Sequence, residues 1–336
     1  MDLLTLFSAG TIPETPASAY ANLTVPAVNT IFEVSALILL IGAAVAGVML
    51  LRNRVRSWLY PFGVGLVFHL VFRYTMFNRR FGLMYVLFSA LNQYVPFLKG
   101  QDTVLSVLLT LFDAGMTILA IVLSVAYWKR TAERDHRPFT VGGALALGFS
   151  AYVVNLIASG FLTQFYGMIT NSRLINANGF ENVLNSYLSQ TGGMTKEQII
   201  DELMILTSSD VSTFVKYLLG ATTLILEAVV PIAMAVVRYG VVSSKLEKSW
   251  NWVVFLLPVG LMAMPLVQTL SSFDAFAYVS FAYTLVLAAF SVWLIRYVSV
   301  RYMEKDWSEL SYSRKKQKQD EEKAKNKMPK IEMPKD

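Results

Sequence analysis

The stretch LVFHLVFRYTMF, Leu66 to Phe77, sets a histidine and an arginine four residues apart in an otherwise apolar run. His69 and Arg73 are not alone. Asp113 stands in TLFDAG, Glu227 in ILEAVV, and the amides Asn155 and Gln164 lie in a further apolar segment. Three kinds of chemistry suit this set. A guanidinium beside a carboxylate forms an ion pair that fixes helix register. Buried acids and an imidazole can carry a proton or an ion along a path. Histidine with Asp and Glu can ligate a divalent metal, and Glu227 or Asp113 would then serve as base to a metal-bound water. The residues alone leave all three open.

Composition narrows the chemistry. The chain has no cysteine and two histidines. A disulfide framework, a thiolate zinc site and a cysteine nucleophile are thereby excluded. No H-E-x-x-H pattern occurs, so the usual helical zinc-protease signature is absent. No catalytic residue is assigned, and no metal or cofactor is expected.

Long apolar helices must hold these side chains. Of 336 residues, 55% are hydrophobic and 15% charged, against about 25% charged in a soluble domain. The fold class is all-α: a polytopic transmembrane helical bundle. A bilayer core about 30 Å thick needs roughly 20 apolar residues in a helix. Seven segments qualify, about Thr30–Leu51, Ser57–Phe77, Asp102–Trp128, Phe139–Tyr166, Thr213–Val242, Trp250–Leu270 and Ala275–Ser299. Residues 81–100 are apolar but broken by Asn92, Gln93 and Pro96, and read as a re-entrant or interfacial segment, with a short span as the alternative.

Each charge at mid-span costs about 2.5–3.5 kcal/mol on insertion, so the charged groups must pair, neutralise or face water. His69 and Arg73, at i and i+4, share a helix face. The simplest arrangement is an interior cluster in which Arg73 pairs with Asp113 or Glu227 and His69 completes a hydrogen-bond network.

Lysine and arginine set the expected orientation. RNRVR, KRTAERDHR, SSKLEKS and the Lys-rich tail follow the first, third, fifth and seventh spans. They fall on one side, which places the N-terminus outside and the C-terminus in the cytoplasm of a cell (inner) membrane. Trp58, Trp128, Trp250 and Trp252 lie at the cytoplasmic span ends, as an aromatic belt would. GAAVAG and GGALALG supply small residues for close helix packing.

Residues 1–29 form an extracytoplasmic arm without the basic start and apolar core of a cleavable signal. Residues 30–300 are the membrane domain, and 171–212 its outer loop. That loop carries two amphipathic helices. One gathers Phe180, Leu184 and Tyr187 on a face. The other opens with a capping box, Thr195 to Gln198, and gathers Ile199, Ile200 and Leu203. These six residues are a candidate partner surface, or else pack at the interface. The tail, 301–336, holds eleven Lys/Arg against eight Asp/Glu. It reads as a charged cytoplasmic extension able to contact anionic lipid. Nucleic acid is not an expected partner, because no aromatics interleave the basic run.

The order of PFGVGLVFHL, TLFDAG, GGALALG and ILEAVV over residues 31–299 resembles the YhfC-type family of glutamate-dependent intramembrane metalloproteases, relatives of the CAAX-processing and bacteriocin-immunity proteases. The resemblance implies a Phe-Glu-Glu motif with a nearby arginine, a Gly-His-Gly region and a second histidine in a later span. Here Asp113 stands at the first glutamate and Ala114 at the second. ALGFSAYVVN and FLLPVGLMAM carry no histidine. The resemblance therefore implies a pseudoprotease that keeps the membrane fold in order to bind. The resulting expectation is a non-enzymatic integral membrane protein, a binding or scaffold subunit of a membrane assembly. An ion- or proton-coupled transporter and a divergent metal-dependent protease are the alternatives.

Overall fold

The computed structural model describes residue 20 and residues 23–54, 57–75, 86, 89–90, 93–95, 102–158, 161–190, 196–208, 211–270 and 275–303. Among the described residues there is helix and no strand. The chain runs through α1 (Ala27–Arg54), α2 (Leu59–His69), a π-helical turn (Leu70–Thr75), α3 (Asp102–Arg134), α4 (Val141–Ala158), α5 (Phe161–Asn178), α6 (Phe180–Gln190), α7 (Lys196–Thr207), α8 (Val211–Glu227), α9 (Val229–Val242), α10 (Asn251–Leu270) and α11 (Phe276–Met303). Among the described residues six segments are long and apolar enough to cross a membrane: Ala27–Asn53, Val107–Arg134, Val141–Asn178, Tyr217–Val242, Lys248–Val267 and Phe276–Met303. Leu59–Tyr74 is a shorter apolar helix, about 24 Å long at 1.5 Å per residue. The protein is a multi-pass membrane protein of the all-α class.

Its lipid-facing side is legible on α1. Ile31, Ile38, Val45 and Met49 recur at helical spacing and are all exposed, the outward stripe of a helix that packs on one side only. Leu256 on α10 and Val286 on α11 are exposed in the same way. By contrast, α4 is buried nearly all round. Its Ala144 and Leu147 join the cluster built by α2, α3, α9, α10 and α11. Its Ala146, Phe149, Tyr152 and Leu156 join a second cluster with α1 and α5 to α8. The bundle is assembled around α4.

In lipid, apolar side chains gain nothing by leaving the tails, so helices associate through close packing and hydrogen bonds. Two glycines show this. A Cβ on Gly65 of α2 would strike Ser150 of α4 and stand 2.6 Å from the Leu147 carbonyl. A Cβ on Gly148 of α4 would strike the Ile232 backbone and stand 2.7 Å from the Pro231 carbonyl of α9. The GGALALG segment is thus a packing surface.

The basic span ends gather at one end. Lys129 Nζ donates to the Val242 carbonyl at 2.9 Å and caps α9. Tyr239 donates to the Phe139 carbonyl, and the Arg137 guanidinium lies 4.4 Å from the centre of the Tyr60 ring. Arg134, 2.8 Å from Asp135, holds that carboxyl below the usual carboxylate range. One member of the expected tryptophan belt departs from it. Trp128 is buried against Phe139, Tyr239 and Gly143, because Gly143 leaves room for the indole. Trp252 is exposed as a belt residue would be.

One boundary and one exposed face differ from expectation. The segment expected to end at Tyr166 continues as α5 to Asn178. The two amphipathic helices form, as α6 and α7, but their apolar faces are covered. Phe180, Leu184, Ile199 and Leu203 are buried in the second cluster, with Tyr187 and Ile200 half-buried beside them. They are core, not an open partner surface, because α5 packs against both helices and the Tyr20 ring stacks on Phe180. The segment at 81–100 for the most part, Thr195 of the capping box and the tail beyond Met303 lie outside the described residues.

Candidate functional site

The π-helical turn begins directly after His69, and its i→i+5 bonding shifts the register that a continued α-helix would keep. Such turns are rare and concentrate at functional sites. Arg73 lies within it. Arg73 Nη2 donates to Asp113 Oδ2 of α3 at 3.0 Å, and Nη1 donates to Asn155 Oδ1 of α4 at 3.0 Å. One guanidinium thus ties three elements together with two charge-assisted or polar bonds. Both members of the ion pair are partly accessible, at 18% for Arg73 and 29% for Asp113.

Glu227 approaches from another side. It is the last residue of α8, and α9 starts at Val229 after a one-residue turn. The break has a cause in the sequence. Pro231 has no N–H, and its ring crowds the carbonyl four residues earlier, which is that of Glu227. The chain adapts with a shorter bond from the Ala228 N–H to the Ile225 carbonyl, at 3.2 Å. Glu227 is close enough to Arg73 for the guanidinium to act on its charge. Among the described residues it makes no hydrogen bond. The site therefore joins one cation, one acid and one amide by direct contact, drawn from a π-turn and the middles of α3 and α4, with Glu227 at the helix break within the guanidinium's field.

His69 and Gln164 do not join this network as expected. His69 is fully buried, and its Nδ1 lies 2.9 Å from the Gly65 carbonyl of its own helix. A carbonyl only accepts, so Nδ1 carries the proton. Nε2 is left buried without a hydrogen bond. Gln164 sits on α5, and its Nε2 is likewise buried and unbonded. The residues that meet are Arg73, Asp113, Asn155 and, through its charge, Glu227. Among the described residues no group of three or more His, Cys, Asp or Glu is placed to hold a metal ion.

A second polar site lies on α1, where no functional residue is expected from the sequence reading. Glu33 is fully buried, and Ser172 Oγ of α5 lies 3.1 Å from each carboxylate oxygen. Asn29, one turn earlier on the same face, is also fully buried. Its Nδ2 donates to the carbonyls of Leu206 and Ser208, at 2.7 and 3.0 Å, where α7 ends. Asn176 exchanges two bonds with Val25, Nδ2 to the carbonyl and N–H to Oδ1. The string NTIFE shows Asn29 and Glu33 at i and i+4. That spacing is the signal by which they were findable.

No family model matches the chain, and neither the curated proteins nor the solved structures yield a significant match.

Proposed function

We propose that this protein is a non-catalytic membrane helix bundle that serves as a binding or scaffold subunit of a membrane assembly, with its N-terminus outside and its C-terminus in the cytoplasm. The observation that carries the reading is the bond between Arg73 and Asp113. Asp113 is the position that the resemblance to the intramembrane metalloproteases assigns to a motif glutamate. Here its carboxylate is bound to a guanidinium that also holds Asn155. A fixed positive charge stands against the acid that a metal-dependent mechanism would employ, and links the π-turn to α3 and α4. Ala114 and the absence of histidine in α4 agree with a site turned to structural use. Purification of the full chain in mild detergent should recover a partner in stoichiometric amount, and the partner should persist with Asp113→Glu. Isolation as a lone monomer under every mild condition rejects the proposal.

A second reading, an ion- or proton-coupled carrier, is favoured by Glu227. An acid without a hydrogen bond, at a break in a membrane-crossing segment, matches the discontinuous helices at which carriers hold ions. What separates the readings is whether Glu227 is needed for an ion-dependent flux.

A further inference from the structure

Glu33 raises a question that the Arg73 cluster does not answer. Its carboxylate is fully buried, with Ser172 as its hydrogen-bond donor among the described residues. A serine has one O–H, so it satisfies one carboxylate oxygen at a time. Among the described residues no cationic side chain pairs with Glu33. A buried charge with so little compensation costs several kcal/mol.

The neighbouring groups are oxygens. Asn29 stands one turn before Glu33 on α1. Its amide nitrogen is committed to two carbonyls of the α7 end, and Oδ1, on the other side of the amide, is buried and accepts no hydrogen bond among the described residues. Tyr217 of α8 is buried within electrostatic reach of Glu33. The carbonyls that end α7 add the negative end of a helix dipole beside Asn29. The set comprises a carboxylate, an amide carbonyl, a serine hydroxyl and a phenol, with neither sulfur nor imidazole. Oxygen-only sets suit hard cations. A single carboxylate balances a single positive charge.

The geometry points to a site for one hard monovalent cation of the sodium class, held by Glu33, Asn29 and Ser172 with Tyr217 beside them, at the end of the bundle opposite the basic loops. The cation supplies the missing counter-charge and ties α1 to α5 and α8. This site is distinct from the Arg73 cluster and does not rest on the scaffold reading.

The test uses the purified full chain in detergent. Binding of radioactive sodium should saturate at one ion per chain, and the melting temperature should rise in sodium chloride relative to choline chloride at equal ionic strength. Glu33→Gln keeps the shape and can still bond Ser172, yet should abolish both effects. Ser172→Ala should weaken sodium binding at least tenfold, and serves as the second variant if Glu33→Gln does not fold. Three results each overturn the inference: no saturable sodium binding by the wild-type chain, equal melting in sodium and choline, or binding unchanged in the variants. A wild-type chain indifferent to sodium but stabilised by Glu33→Gln would instead assign a protonated acid to this position.

Discussion

Replacing Arg73 by glutamine removes the guanidinium that pairs with Asp113 and holds Asn155. Asp113→Asn removes one partner and leaves Arg73 with Asn155. Fully buried pairs cost roughly 3–5 kcal/mol when halved and exposed pairs under about 1. A half-buried pair lies between, at roughly 1–3 kcal/mol. Arg73→Gln should therefore melt several degrees below wild type in a fluorescence-detected unfolding scan. Asp113→Asn should fall less, and the double variant should recover part of the Arg73 loss. A larger loss for Asp113→Asn would show that the acid has work beyond the pair. The Arg73–Asp113 bond was legible in the sequence because charges inside apolar spans must find each other. The bond from His69 to its own backbone was not, since helical spacing reports a shared face and not which way a ring nitrogen turns. Glu33 lies inside the expected first span, Thr30–Leu51, and its i and i+4 spacing from Asn29 is the one mark that sets it apart.

Helices show the same division. Apolar length predicted α1, α3, α10 and α11 closely, because a membrane imposes that length. Periodicity also predicted α6 and α7, yet it states only that one face is apolar. The ring stacked on Phe180 is that of Tyr20, far back in the sequence, and no local pattern encodes that. The break between α8 and α9 is encoded, by Pro231, and it puts Glu227 at a helix end inside the membrane-crossing segment. If the break serves ion coupling, Glu227→Gln in proteoliposomes should abolish a proton- or sodium-dependent uptake that the wild type supports. Flux unaltered by that change removes Glu227 from any such path, and leaves the break as a consequence of fitting Pro231 against Gly148.

The bundle as assembled gathers its basic turns at one end and the Asn29–Glu33 site at the other. Because the chain has no cysteine, single cysteines can be introduced on a silent background. A cysteine at Ser244 should react with a membrane-impermeant maleimide only after the cells are opened, and one at Asn178 in intact cells. The reverse pattern would invert the proposed orientation. The long reach of the α1 contacts has a further consequence, for biosynthesis. Val25 and Asn29 meet partners 151 and 177 residues later in the chain, and Glu33 meets Ser172 after 139. At about 5–20 residues per second, α1 waits on the order of ten seconds or more after its own synthesis before those partners exist. For that interval its buried acid and amide have no native shelter. Until α5 and α7 are made, α1 must rest beside water or the insertion machinery, which makes a helix synthesised early among the last to be settled.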